Sequence, residues 1–477
     1  NMNTGRKLSL VDMIGQSGMC VEPFAGNRGA SFSLLCSNHR KNRQCRPWLT
    51  NAPGFERRIL SDPLHVDEMV EMSKIHLEDG EKRQTCPWKA ARNAAKSADI
   101  VVCDYNHIFI EEVRSASLKA MELNLEDLII VVDEAHNLPD RVRMGMQRRL
   151  TPTMVRNAST EVEEHLGELQ KLGAINEAMN ISIHLKSWTL QVCKEFRQVL
   201  TREFRRLVSE LDDKNETRIN ASDALSWLDE AFDKVAAQIS QSTLTGEQTT
   251  DRIPDKRNRL QAFKSQLETN EVEVDEDGEN EPSAHLLAHL IDVLVKFGQG
   301  TALCLVFEGE GREGRIITHL LDAGLVAGPI FEDVSGAILM SGTLDPPNMF
   351  ADLLGIKPNK RGESVHPSPF LSNRRPVIIA NDVTTLYRER SPQNTENMKT
   401  HIAELIKNTE GNVAVFTPSY RILSEIFDDF FIPKINKKIE ARDWTKQDIS
   451  ALMVDLEDSQ KFGRKILLGG VFNGKLS

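Results

Sequence analysis

The 477-residue sequence lacks the features of membrane and exported proteins. No apolar run approaches the roughly 20 residues that a membrane-spanning helix needs. The first residues, NMNTGRKLSLVDMIG, lack the apolar core of a secretory signal. These absences predict a soluble protein with no membrane partner.

The sequence also lacks the paired C-x₂₋₄-C knuckles of common zinc sites, although it contains seven cysteines. An odd number of thiols in a reducing compartment argues against a disulfide framework. Three of them are predicted core residues: Cys103, Cys193 and Cys304. The other four have 15, 8 and 40 residues between neighbours: Cys20, Cys36, Cys45 and Cys86. Pro87 follows Cys86, as proline follows some ferredoxin-type ligands, but spacing alone leaves a cluster and scattered thiols equally open.

Charge is distributed unevenly along the chain. The formal net charge of −11 argues against a protein that coats nucleic acid through bulk electrostatics. Between residues 28 and 58, however, seven arginine or lysine residues accompany one glutamate. This basic segment suits a surface that grips phosphates, with Trp48 stacking on a base. A solvated basic loop with a core tryptophan explains it equally well. The acidic run at 271–281 is predicted to be a disordered surface loop.

Apolar runs of strand length that end in polar residues indicate α/β regions. They occur at 98–109, 125–138 and 336–347, while residues 411–430 predict a strand, a turn at Pro418 and an amphipathic helix, and residues 465–470 predict a further strand. We expect such strands to be parallel and buried on both faces, with ligands bound where the strands end. About 190 residues with a helical spacing of apolar positions separate the second run from the third. This pattern predicts a mainly helical domain inserted into an α/β domain.

The stretch LIIVVDEAHNLPD, residues 128–140, delivers two carboxylates and a histidine to the end of a predicted strand. Asp133 can hold Mg²⁺ beside nucleotide phosphates. Glu134 can orient and deprotonate an attacking water. Asp-Glu pairs alone are common at solvated turns, but the preceding strand and the following His136 favour a nucleotide site.

The phosphate-binding loop G-x-x-x-x-G-K-[ST] that normally serves such a carboxylate pair is missing. The near match GGVFNGKL, residues 469–476, has Leu476 where a hydroxyl must reach Mg²⁺, and Ser477 leaves no room for a following helix. We interpret this match as a coincidence.

The motifs VVDEAHNLPD, LMSGTLDP and GKLS, together with the cysteines, resemble the XPD family of iron–sulfur superfamily 2 DNA helicases, which is related to DinG. The resemblance covers essentially the whole chain. It implies that Asp133 binds Mg²⁺, that Glu134 activates water and that His136 couples hydrolysis to DNA movement. It also implies nucleotide contacts, linked to DNA, by the SGT residues: Ser341, Gly342 and Thr343.

The same resemblance implies that Cys20, Cys36, Cys45 and Cys86 bind a 4Fe-4S cluster. The FTPSY stretch, 416–420, resembles the first motif of the family's second motor domain. The DNA-binding candidates are Arg40, Lys41, Arg43, Arg46, Tyr105, Thr417 and Ser419. For Tyr105, core packing is an equally good explanation.

The implied fold is α/β, with two RecA-like parallel-sheet motor domains, the second incomplete. The first comprises residues 1–15, 98–140 and 303–373, and the second residues 374–477. An iron–sulfur domain at 16–97 and a mainly helical arch at 141–302 are inserted into the first. The family's phosphate loop and final arginine motif are absent from the sequence. We therefore expect a piece of a longer protein, cut at both ends, that hydrolyses ATP inefficiently.

The implied activity is movement from 5′ to 3′ along single-stranded DNA and separation of duplex or forked DNA, driven by ATP and Mg²⁺, in DNA repair. The expected partners are DNA, ATP and repair proteins. The expected state is a monomer, cytoplasmic in a prokaryote such as an archaeon or nuclear in a eukaryote. Two alternatives remain open: a non-catalytic iron–sulfur DNA-binding protein and a zinc-containing scaffold.

Overall fold

The structure is a computed structural model that describes residues 7–23, 30–78, 80–173, 176–211, 215–244, 254–270, 282–310, 313–369, 376–472 and 474–476. The chain divides into two compact units, residues 1–364 and 365–477. Among the described residues, none of the helices combines the length and apolar character needed to cross a membrane. The acidic run at 271–281 lies outside the described residues.

The start of the first unit consists of short strands and helices. They are β1 (Leu10–Asp12), α1 (Ala30–Lys41), α2 (Arg46–Leu49), α3 (Pro53–Ser61), α4 (Val66–Ile75), β2 (Leu77–Glu78), β3 (Glu81–Lys82), α5 (Pro87–Ala95), β4 (Ile100–Val102), α6 (Asn106–Phe109), α7 (Glu111–Met121), β5 (Ile129–Val132) and α8 (Leu138–Gly145). Proline occupies the first turn of α2, α3 and α5, where its missing N–H leaves no hydrogen bond unmade. Strand β1 pairs in parallel with β4.

Long helices and an antiparallel sheet follow in the same unit. They are β6 (Arg149–Leu150), α9 (Pro152–Leu172), α10 (Glu177–Ser209), β7 (Glu216–Ile219), α11 (Ala221–Leu244), α12 (Arg259–Glu268), α13 (Ser283–Phe297), β8 (Leu303–Glu310) and β9 (Glu313–Leu320). The strand order is β6-β9-β8-β7. At the edge of this sheet Arg149 pairs with Ile317. The Thr318 amide donates to the Arg148 carbonyl at 2.9 Å. The helices and sheet share one large apolar core. The helical character was predicted from the sequence, whereas the sheet was not.

The chain then returns to the parallel strands with α14 (Gly324–Asp333), β10 (Gly336–Leu339) and α15 (Pro347–Leu353). Strand β10 pairs in parallel with β5, with Ala337 opposite Ile130. The strands on either side of the helical region are therefore neighbours, as expected for an insertion. The prediction that these strands are buried on both faces is wrong for β5, because Ile129 and Val131 are 71% and 56% exposed. In the described part of the chain, the core that buries Ile130 lies on one face of this strand pair.

The second unit contains α16 (Pro392–Asn408), β11 (Val413–Thr417), α17 (Tyr420–Phe427), β12 (Asn436–Ile439), α18 (Lys446–Lys461) and β13 (Ile466–Val471). Its strands are parallel in the order β11-β13-β12, with a buried β13 in the centre. Gly469 and Gly470 lie inside β13, so the near match to a phosphate loop begins within a strand. Both units contain parallel sheets with helices, which confirms the predicted α/β class.

Candidate nucleotide and iron–sulfur sites

The DEAH residues form a tight turn directly after β5. The Asp133 carboxylate accepts a hydrogen bond from the Glu134 amide at 2.9 Å. Glu134 has a φ of 47°, in the left-handed region, which costs a non-glycine residue about 1 kcal/mol. The Ala135 amide donates to the Met340 carbonyl at 3.0 Å. Contacts with the neighbouring strand therefore help to hold the unfavourable backbone.

The loop after β10 brings the SGT residues against this turn. His136 Nδ1 lies 2.7 Å from Ser341 Oγ and 3.1 Å from Thr343 Oγ1. The Ser341 hydroxyl donates to Glu134 Oε2 at 3.0 Å, and His136 Nδ1 lies 3.2 Å from the same oxygen. Gly342 is exposed in this loop. Because β5 and β10 are parallel neighbours, their carboxyl ends place residues 205 positions apart in one network.

Tyr105 lies behind the same turn, between β4 and α6. Its hydroxyl donates to the Asp133 carbonyl at 2.6 Å and lies 3.2 Å from the Glu134 carbonyl. Burial raises the pKa of Tyr105, and the charges of Asp133 and Glu134 raise it further. The sequence predicted DNA contact or core packing for Tyr105 and missed its contact with the DEAH turn.

A small cavity brings the four N-terminal cysteines together. Its volume is about 20 Å³, and it is lined by Cys20, Cys36, Cys45, Cys86, Trp48 and Trp88 among others. Cys45 directly precedes α2 and Cys86 directly precedes α5, and amides at a helix N-terminus favour a thiolate. Burial raises the pKa of Cys20 to about 12 and that of Cys45 to about 11. As free thiols these side chains are therefore protonated at neutral pH.

The donor set of this cavity fits an iron–sulfur cluster. Within the described residues, no three His, Cys, Asp or Glu side chains form a group that could hold one metal ion. Zinc binds thiolates at about 2.3 Å, which requires sulfur atoms roughly 3.8 Å apart. A cluster binds each thiolate through a different iron atom and needs a wider spacing. Four cysteine sulfur atoms around one cavity are the type and number of ligands that such a cluster takes.

Cationic side chains stack on both tryptophans beside the cavity. Arg40 Cζ lies 4.6 Å from the Trp48 ring centroid, and Arg92 Cζ lies 4.1 Å from that of Trp88. The two rings are 6.2 Å apart. Sequence reasoning missed Trp88 and Arg92, although their spacing of four places them on one face of α5. The other basic candidates for phosphate contact are exposed: Lys41, Arg43 and Arg46.

In the second unit, Thr417 and Ser419 lie at the end of β11. Thr417 is buried, and its hydroxyl donates to the Ser419 carbonyl at 3.1 Å. The Ser419 hydroxyl accepts from the Ile422 amide at 3.4 Å and so caps α17. Both hydroxyls are thus engaged within the unit, and their contact with DNA stays a prediction.

Glu440, at the end of β12, is a buried residue that sequence reasoning missed. Its carboxylate accepts hydrogen bonds from the Tyr420 hydroxyl at 2.7 Å and from the amides of Val471 and Lys475 at 3.0 and 2.6 Å. Burial raises the pKa of Glu440, but these hydrogen bonds outweigh it and lower the pKa below its usual value. Glu440 therefore connects the loop after β13 to the first residue of α17.

The fold and the first site define a class of protein: an α/β protein with a carboxylate pair at the end of parallel strands, where such sheets bind nucleotides. A family profile described as DEAD_2 matches residues 1–154. The chain is 22% identical over 430 residues to ATP-dependent DNA helicase CHL1 of Kluyveromyces lactis. The alignment covers 85% of this chain and 46% of that protein.

The chain is also 24% identical over 414 residues to ATP-dependent DNA helicase XPD of Sulfolobus acidocaldarius, covering 86% of this chain and 60% of that protein. A solved structure named XPD_Helicase superposes with a TM-score of 0.46 and 16% identity, covering 99% of this chain and 69% of that one. By its motifs and its sequence matches, the chain is similar to the XPD-related superfamily 2 helicases. It spans about half the length of the curated relatives it matches.

Proposed function

We propose that the protein is an ATP-dependent DNA helicase that moves from 5′ to 3′ along single-stranded DNA and separates duplex or forked DNA. The observation that carries this proposal is the network that joins Glu134 and His136 to Ser341 and Thr343. It ties a carboxylate suited to activating water to a second loop that can sense another ligand. The similarity to ATP-dependent DNA helicases CHL1 and XPD supports it.

On the nucleotide side, the exposed Asp133 carboxylate would hold Mg²⁺, which when bound neutralises phosphate charge. Glu134 would orient a water molecule and accept its proton. The Ser341 hydroxyl occupies Oε2 of Glu134, which leaves Oε1 to act as the base. A Cβ at Gly342 would meet no atom within 4 Å, so this loop is open to an approaching phosphate.

On the DNA side, we assign strand contacts to the basic segment and to the loop after β11. The exposed Lys41, Arg43 and Arg46 suit phosphate contacts, and Arg40 joins them to the Trp48 ring. In the second unit the candidates are Thr417 and Ser419. Contacts of this kind predict DNA affinity that falls as the salt concentration rises.

We also propose that Cys20, Cys36, Cys45 and Cys86 hold one 4Fe-4S cluster. When bound, the cluster would cross-link four separate segments of the chain, and the helix N-termini at Cys45 and Cys86 would stabilise its thiolates. Such a cross-link suits a domain with small cores. We propose that the protein binds DNA as a monomer and acts with repair proteins. Its proposed location is the cytoplasm of a prokaryote or the nucleus of a eukaryote.

Unwinding assays on the full-length natural protein test the proposal. Duplexes with a 5′ or a 3′ single-stranded tail are compared in the presence of ATP and Mg²⁺, and separation of the 5′-tailed duplex alone is expected. Absence of DNA-stimulated ATP hydrolysis would contradict the helicase and favour a non-catalytic DNA-binding protein. After anaerobic purification about four irons per chain are expected, whereas one zinc and no iron would refute the cluster.

A further inference from the structure

We propose that Tyr105 is a positioning residue that locks the backbone of Glu134 in the form required for hydrolysis. The inference rests on the proposed ATPase function. It concerns a contact between two loops, the turn after β4 and the turn after β5, that no motif of the sequence indicates.

The hydroxyl of Tyr105 contacts both peptide groups that flank Glu134. The Asp133 carbonyl belongs to the peptide plane before Glu134, and the Glu134 carbonyl belongs to the plane after it. Rotation about φ of Glu134 turns the first plane, and rotation about ψ turns the second. A single hydroxyl at 2.6 and 3.2 Å from the two oxygens therefore restrains both angles.

This restraint matters because Glu134 has a left-handed backbone, with φ 47° and ψ 42°. A glutamate in this region relaxes to the right-handed or extended region unless its surroundings hold it. Relaxation would swing the Glu134 side chain away from the Ser341 hydroxyl that now contacts it. Tyr105 thus acts on the proposed general base through the backbone and not through the side chain.

Tyr105 lies in a turn that is stabilised by hydrogen bonds. The Asn106 amide donates to the Asp104 carboxylate at 2.9 Å, and His107 Nδ1 lies 2.7 Å from the Ser117 hydroxyl. The Tyr105 hydroxyl is therefore presented from a fixed platform, as a positioning role requires.

Replacing Tyr105 by phenylalanine removes only the hydroxyl. In the full-length protein at saturating single-stranded DNA, we expect Tyr105→Phe to lower kcat for ATP about tenfold, as for loss of a restraining hydrogen bond. KM for ATP and Kd for DNA should remain within about twofold of the unmodified protein, because no ligand contact is lost. Tyr387→Phe removes a hydroxyl from an exposed tyrosine of the second unit and should change none of these values.

An unchanged kcat in Tyr105→Phe would overturn the inference. A weakened DNA affinity, with kcat restored by excess DNA, would overturn it in favour of a direct DNA contact. Amide hydrogen exchange of residues 129–137 tests the same contact without ATP turnover. Exchange faster in Tyr105→Phe than in Tyr387→Phe is expected, and equal exchange would refute the restraint. If the unmodified protein has no ATPase activity while exchange responds, the proposed function fails and the structural restraint stands.

Discussion

Replacement of Lys186 by methionine should stabilise the protein at neutral pH. Lys186, on α10, is only 2% exposed, and its ammonium donates to the Gln266 carbonyl at 2.6 Å and to Asn270 Oδ1 at 3.4 Å. Burial lowers the pKa of Lys186 from 10.5 to about 8, although Cys193 acts in the opposite direction. The folded state therefore holds a charged amine that the unfolded state would accommodate more easily.

The magnitude follows from the difference between the two pKa values. A difference of about 2.5 pKa units corresponds to about 3 kcal/mol. Below pH 8 both states bind the proton, so the full cost lowers the unfolding free energy. Between pH 8 and 10.5 only the unfolded state keeps the proton, so stability rises with pH, and above 10.5 the cost is gone. Losing the amine's hydrogen bonds costs Lys186→Met about 1 kcal/mol.

Lys186→Met should thus be about 2 kcal/mol more stable than the unmodified protein at pH 7 and about 1 kcal/mol less stable near pH 10.5. Urea unfolding followed by tryptophan fluorescence measures this, since Trp188 and Trp227 belong to the same core as α10. Lys171→Met, at an exposed position of α9, is the matched control and should show no such pH dependence. A stability difference that is independent of pH would refute the reasoning.

Three further predictions concern the sites. Glu134→Gln should leave nucleotide binding largely intact but reduce ATP turnover at least ~100-fold; normal steady-state turnover would refute its role as the base. Cys86→Ser should lose bound iron and unwinding while ATP binding is retained, and strand separation by an iron-free variant would contradict this. Glu440→Ala should lower the unfolding free energy of the second unit by about 2 kcal/mol, measured in urea against Asp443→Ala at an exposed position. Because the pKa of Glu440 is lowered from 4.5, the difference should be present above pH 4.5 and be lost below it; a difference that persists in acid would argue against the charged hydrogen bonds.

The parallel strands were predictable because each carries its own signal. An apolar run of strand length identified the positions of β5, β10, β11 and β13 without knowledge of their partners. The antiparallel sheet was not predictable in this way. Its strand β7 pairs with β8, and Glu216 lies opposite Glu308, a pairing that depends on how the intervening helices fold and not on any local pattern.

The residues of the candidate site also divide into those that the sequence predicts and those that it does not. The residues of the DEAH and SGT motifs follow predictable strands, and the family resemblance implied that both motifs serve the nucleotide site. Tyr105 and Glu440 act on backbone groups of distant loops, and no side-chain pattern records such contacts. Lys186 could have been found, because Ile183, Leu190 and Cys193 place it on the buried face of α10 at helical spacing.

The pairing of β6 with β9 at the edge of the antiparallel sheet determines where the segment between these strands can be lengthened or shortened. Where β6 meets β9, the Arg148 amide donates to Thr318 Oγ1 at 2.8 Å, and the Thr318 amide donates back to the Arg148 carbonyl. The two ends of the segment between these residues therefore lie next to each other. Insertions, deletions or replacement of that entire segment need not separate β5 from β10. A longer or shorter segment can therefore be joined to the chain at these two adjacent positions.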